Sequence, residues 1–123
     1  MMALTKTNKR GTANFCLNYG GHAELTDPMR AIAAEVQAGT LSPADITEET
    51  IQHHLYHDLP PVDLLIRTSG ELRLSNFLLW QVAYAEFYVT PTLFPDFTND
   101  QFDAALAAYG SRDRRMGGDT KAK

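Results

Sequence analysis

Arg67, Arg73, Ser75 and Glu86 fall within one stretch of this 123-residue sequence, Asp63 to Glu86 (DLLIRTSGELRLSNFLLWQVAYAE). Arg67 ends an apolar run that reads as a strand, and in open α/β sheets ligands gather beyond the carboxyl ends of strands. Arg73 and Ser75 follow in the polar loop that leads into the next apolar segment. A helix start offers unpaired N–H groups and partial positive charge, and two guanidinium forks add bidentate donors. Together they describe an anion site suited to a phosphate or diphosphate. Glu86, at the start of a further strand, is placed to give a carboxylate oxygen to a divalent metal bridging such phosphates. The same spacing also allows a plainer reading: Arg67 and Arg73 pair with Asp63 and Glu71, and Ser75 is only a helix cap. Glu86 beside an apolar helix is harder to read as structural, because a buried carboxylate needs a partner or a metal.

The elements that must hold these residues follow from pattern and punctuation. Residues 13–18 (ANFCLN) form a short apolar run closed by Tyr19-Gly20-Gly21, which predicts a strand and a turn. Thr26 or Asp27 is placed to cap a helix with Pro28 at its first position. Met29, Ile32, Ala33 and Val36 carry the apolar stripe, and Gly39 ends it. Ser42-Pro43 opens a turn of helix, and Thr47 caps another with Ile51 and Leu55 facing inward. After Pro60-Pro61, Val62–Ile66 predicts a strand ending at Arg67. Ser75 then predicts an N-cap for residues 76–85, a helix apolar nearly all round and therefore buried. Residues 86–90 read as a third strand. Thr98 to Gln101 is a capping box for a last helix striped by Phe102, Ala105, Leu106 and Tyr109. Alternation of this kind means α/β, a parallel sheet flanked by helices. Three parallel strands make too small a sheet to be covered on both faces, so the fold reads as incomplete.

Composition narrows the class further. The chain is 44% hydrophobic and 21% charged, an ordinary globular balance, with room for one small domain. Its formal charge of −4 argues against a nucleic-acid binder. The single cysteine, Cys16, permits no internal disulfide, fits a reducing compartment and lies in an apolar run, so it is expected to be a buried small hydrophobe. No apolar stretch reaches the ~18 residues of a membrane span and no apolar leader is visible, so a cytoplasmic protein is expected, with peripheral membrane contact left open.

The run IRTSGELRLSNFLLWQVAYAEFYVTPTLFPDF, residues 66–97, closely resembles the signature region of the cis-prenyltransferases, the undecaprenyl diphosphate synthase-like enzymes. Asn18 to Gly21 with the helix after it, Ile46-Thr47, and Arg112 to Gly118 match as well, so the resemblance covers nearly the whole chain from residue 13 on. It implies an undecaprenyl diphosphate synthase-like α/β fold, of which residues 13–118 would be the C-terminal half, 1–12 a lead-in and 119–123 a tail. The implied activity is condensation of isopentenyl diphosphate with an allylic diphosphate such as farnesyl diphosphate, giving cis-polyprenyl diphosphate. By resemblance Arg67, Arg73 and Ser75, with Leu74 between them, hold the isopentenyl diphosphate, and Glu86 binds magnesium. Arg115 and Gly117 match a tail motif that reaches across a homodimer to the partner's diphosphate site. The family's Asp-Gly-Asn-Gly-Arg-Trp motif, which carries the catalytic aspartate, does not occur in this sequence. No catalytic residue is therefore assigned, and the chain alone is expected to be inactive. The alternative is a non-catalytic partner subunit of a two-subunit enzyme. Such partners usually lose the phosphate-binding residues, all of which are present here.

Overall fold

A computed structural model of the chain describes residues 6–113. Its elements are helix α1 (Gly21–Gln37), a 3₁₀ turn (Pro43–Asp45), helix α2 (Glu48–His54), strand β1 (Leu64–Arg67), strand β2 (Glu86–Val89), a 3₁₀ turn (Phe94–Asp96) and helix α3 (Asn99–Gly110). The strands pair in parallel, with Leu64 opposite Glu86 and Arg67 opposite Val89. Among the described residues the fold is thus α/β with a two-stranded parallel sheet, one strand fewer than the sequence predicts. A small core is built from Ile32, Leu55, Val82 and Ala105. No helix among the described residues is long and apolar enough to cross a membrane.

The locally punctuated elements form where the sequence places them. Ser42 accepts from the Ala44 N–H at the first 3₁₀ turn. Thr47 and Thr50 exchange the two bonds of a capping box on α2, and Leu55 is buried. Both strands begin or end at the expected residues, and Gln101 accepts from the Thr98 N–H at 3.1 Å. The stripe of α3 is buried only at Ala105, while Phe102 and Leu106 stay exposed.

Three expectations are corrected. Residues 13–18 form no strand: Phe15 and Leu17 are 80% and 87% exposed, and Cys16 is exposed rather than buried. A strand needs a neighbour to take up its backbone donors and acceptors, and no described segment pairs with this one. Helix α1 begins at Gly21, not Pro28, so Pro28 lies inside it and leaves the Glu24 carbonyl without its usual i+4 donor. The Gly39 end is as predicted, with φ 74° just past the last turn. Finally, residues 76–85 are a chain of turns rather than a buried helix. Ser75, Asn76 and Leu78 take positive φ (52°, 63° and 46°), which breaks a helix at its first turn. A helix apolar all round needs cover all round, and here Gln81 and Val82 are buried while Phe77 and Tyr84 face solvent.

Candidate functional site

Arg67 closes β1 and hands the chain to a tight loop. Ser69 and Gly70 adopt left-handed backbone angles (φ 68° and 69°), which fold the chain back beside the end of β2. The Arg67 carbonyl accepts from Thr90 N–H at 2.9 Å. Gly70 N–H donates to the Thr90 carbonyl and Ser69 N–H to the Thr92 carbonyl, each at 2.8 Å. Hydroxyls fasten the other side: Thr90 donates to Thr92 Oγ1 at 3.1 Å, and Gln101 Nε2 donates to the same Thr92 oxygen at 2.8 Å. The first turn of α3 thus braces the loop that follows Arg67.

The returning chain closes a cleft of about 270 Å³ lined by Arg67, Glu71, Leu72, Arg73, Leu74, Phe87 and Val89. Arg67 and Arg73 therefore line the same cleft, with Leu74 beside them. Arg67 Nε is buried with no hydrogen-bond partner among the described residues. A buried guanidinium donor left without a partner costs free energy. Arg73 takes the plainer alternative in part, pairing through Nη1 with Glu71 Oε2 at 2.5 Å. Both partners are well exposed, so the pair is weak and an arriving anion can compete for the arginine. The cleft joins two cationic forks to an apolar wall, a match for an anionic head on a hydrocarbon body. A larger hollow of about 540 Å³ beside Trp80 and Gln52 has no cationic lining residue and does not suit such a head.

Ser75 and Glu86 are not brought into this cleft. Ser75 is exposed, has positive φ and caps no helix. Glu86 opens β2, three register steps from Val89, so it sits at the far end of the strand pair from Arg67. Side chains alternate between faces along a strand, and Phe87 and Val89 line the cleft, so Glu86 projects from the other face. There its Oε2 accepts from Arg112 Nη1 at 2.7 Å. No cluster of three or more metal-ligating side chains occurs among the described residues. Within one chain, these residues do not fit a magnesium ion bridging a phosphate held in the cleft. Arg115 and Gly117 lie outside the described residues. Sequence reading missed Phe87 and Val89, though the period of two in Glu86–Val89 could have assigned their face. It also missed Thr90, Thr92 and Gln101, whose hydroxyl and amide contacts carry no local signal.

Compared with known proteins, residues 1–117 match the family model described as "Putative undecaprenyl diphosphate synthase", and the chain belongs to that family. The trans,polycis-polyprenyl diphosphate synthase of Thermobifida fusca (strain YX), specific for (2Z,6E)-farnesyl diphosphate, is 56% identical over 116 residues, covering 94% of this chain and 41% of that protein. The ditrans,polycis-undecaprenyl-diphosphate synthase of Escherichia coli (strain K12), specific for (2E,6E)-farnesyl diphosphate, is 50% identical over 117 residues, covering 94% and 46%. Lavandulyl diphosphate synthase from Lavandula x intermedia, solved in complex with dimethylallyl diphosphate, superposes with a TM-score of 0.87 at 45% identity, covering 94% of this chain and 50% of that one. The chain therefore spans about half the length of the relatives it matches.

Proposed function

We propose that this chain holds the isopentenyl diphosphate site of a cis-prenyltransferase. The enzyme built around it condenses isopentenyl diphosphate with an allylic diphosphate such as farnesyl diphosphate, in the cytoplasm and as a homodimer, giving a polyprenyl diphosphate of the undecaprenyl type. The observation that carries this reading is the convergence of Arg67, with its unpartnered buried Nε, and Arg73 on one apolar-walled cleft. The family names of the relatives support the substrate class.

In this reading the two guanidinium forks take the diphosphate oxygens, and Arg73 exchanges its exposed partner Glu71 for the ligand. Leu72, Leu74 and Phe87 shelter the five-carbon body from water and fix where its double bond points. Magnesium, the cofactor the family implies, would screen diphosphate charge. Glu86 is proposed as a ligand for it only at a site assembled with other parts of the enzyme.

Calorimetric titration of the purified chain with isopentenyl diphosphate and with inorganic diphosphate tests the proposal. Saturable binding of both is expected, and Arg73→Ala should weaken each by roughly ten- to a hundredfold, the effect of losing a charged hydrogen bond. Affinity unchanged by Arg73→Ala would remove the basis for the assignment. With farnesyl diphosphate and magnesium added, no condensation product is expected from this chain alone.

A further inference from the structure

Helix α1 starts without a cap of its own. Its first backbone N–H groups need acceptors, and the residue at the N-cap, Gly20, has no side chain to offer one. Asn76 supplies both of the acceptors that local sequence lacks. Its carbonyl takes the Gly21 N–H at 2.7 Å, and its Oδ1 takes the His22 N–H at 2.8 Å. The approach is close enough to require glycine on the helix side. A Cβ on Gly20 would lie 3.0 Å from Asn76 Nδ2, and one on Gly21 would lie 2.7 Å from Leu79 Cγ.

The turn that brings Asn76 there is held from several directions. Ser75 and Leu78 sit in left-handed backbone that costs each of them free energy, so the grip must outweigh that cost. The Tyr19 ring packs edge-on against Phe77 at 5.7 Å. The Tyr19 hydroxyl donates to the buried Glu24 carboxylate, and Gln81 Nε2 donates to the same carboxylate at 3.2 Å. Glu24 is 2% exposed, so these bonds act in a dry setting. This turn continues directly from Leu72–Leu74, the wall of the cleft that carries Arg73.

We propose that Asn76, seated on Gly20–Gly21 at the start of α1, is a positioning residue that holds the Arg73 arm against Arg67 in the diphosphate cleft. The inference rests on the cleft being an anion site, and its test separates the two ideas. The full 123-residue chain is titrated with inorganic diphosphate as wild type, Arg73→Ala, Asn76→Leu, Asn76→Asp and Gly21→Ala. Asn76→Leu and Gly21→Ala should weaken diphosphate binding by roughly three- to tenfold, the range of one hydrogen bond. Asn76→Asp keeps the Oδ1 acceptor and should restore most of the affinity. Amide exchange at His22 should quicken in Asn76→Leu but not in Asn76→Asp. If the wild type does not bind, or Arg73→Ala binds equally well, the anion site and the clasp fall together. If Arg73→Ala weakens binding while Asn76→Leu and Gly21→Ala do not, the clasp alone is overturned. Equal losses in Asn76→Leu and Asn76→Asp would overturn it too. Should Asn76→Leu lose its helical circular dichroism, Gly21→Ala decides the matter.

Discussion

Arg67 and Glu86 stand at opposite ends and on opposite faces of the same parallel strand pair, Arg67 opposite Val89 and Glu86 opposite Leu64. A strand rises about 3.3 Å per residue, so three register steps separate their backbones by about 10 Å along the strand direction. Residues that the sequence groups in one stretch are thus divided by the sheet.

The first prediction follows from that division. In metal-free buffer, Glu86→Gln should change the diphosphate affinity of the chain by less than about 0.5 kcal/mol, whereas Arg73→Ala should cost about 1.5–3 kcal/mol. Calorimetry on the two variants checks this. A loss in Glu86→Gln equal to that in Arg73→Ala would mean that the two residues serve one site.

His54 sets a pH dependence. Its Nε2 meets Glu35 Oε1 at 2.9 Å and its Nδ1 meets the Thr50 carbonyl at 2.7 Å. Two acceptors call for two donors, which only the imidazolium has. The hydrogen bond to Glu35 leads, with the Thr50 carbonyl adding to it, in raising the His54 pKa above its ordinary 6.5. A folded-state pKa above the unfolded one gives stability that is full below 6.5 and is lost as pH rises through the raised value. Urea unfolding at about pH 5.5 and about pH 8.5 should show a fall in stability that His54→Gln largely removes.

Two glycines should respond with opposite signs. Gly39 holds φ 74° in open space, so Gly39→Ala meets no atom but must adopt left-handed backbone, at a cost of about 1 kcal/mol. Gly110 also has open space around its Cβ position, and it ends α3 without positive φ. Gly110→Ala should therefore stabilise by about 0.4–1 kcal/mol through the unfolded state. Denaturant midpoints for both variants provide the check, and a shared sign would contradict the argument.

Self-association is the fourth expectation. Phe15, Leu17 and Leu72 are each at least 80% exposed, and Tyr84 and Phe94 also face solvent. Soluble monomers seldom tolerate contiguous apolar patches beyond a few hundred Å², and a two-stranded sheet leaves strand edges that invite pairing. Sedimentation at micromolar concentration should show dimers or larger species. A single sharp monomer boundary would show that these side chains are tolerated singly.

What was legible in the sequence divides along the range of the interactions. Thr47, Ser42, Gly39 and Arg67 act on residues a few positions away, and each marks its element as read. That Arg67 and Arg73 line one cleft was legible because one strand and one short loop suffice to bring them to it. Ser75 and residues 76–85 were misread because helix pattern cannot reveal whether an all-apolar segment finds cover. The face and end occupied by Glu86 depend on strand register, which spacing along the chain does not encode.

The distant cap on α1 also orders events in time. Asn76 lies 54 residues beyond His22, the amide it caps, and chains leave the ribosome N-terminus first, at about 5–20 residues per second. For several seconds the emerging segment has only water to accept from the first amides of α1. Pro28 is then well placed at a helix start, with Thr26 and Asp27 beside it as local caps. The shorter helix that the sequence predicts is the one this nascent segment would form, and the upstream turns would be added when Asn76 arrives. A synthetic peptide of residues 18–40 should accordingly show helical NMR shifts from Pro28 onward and frayed ones before it.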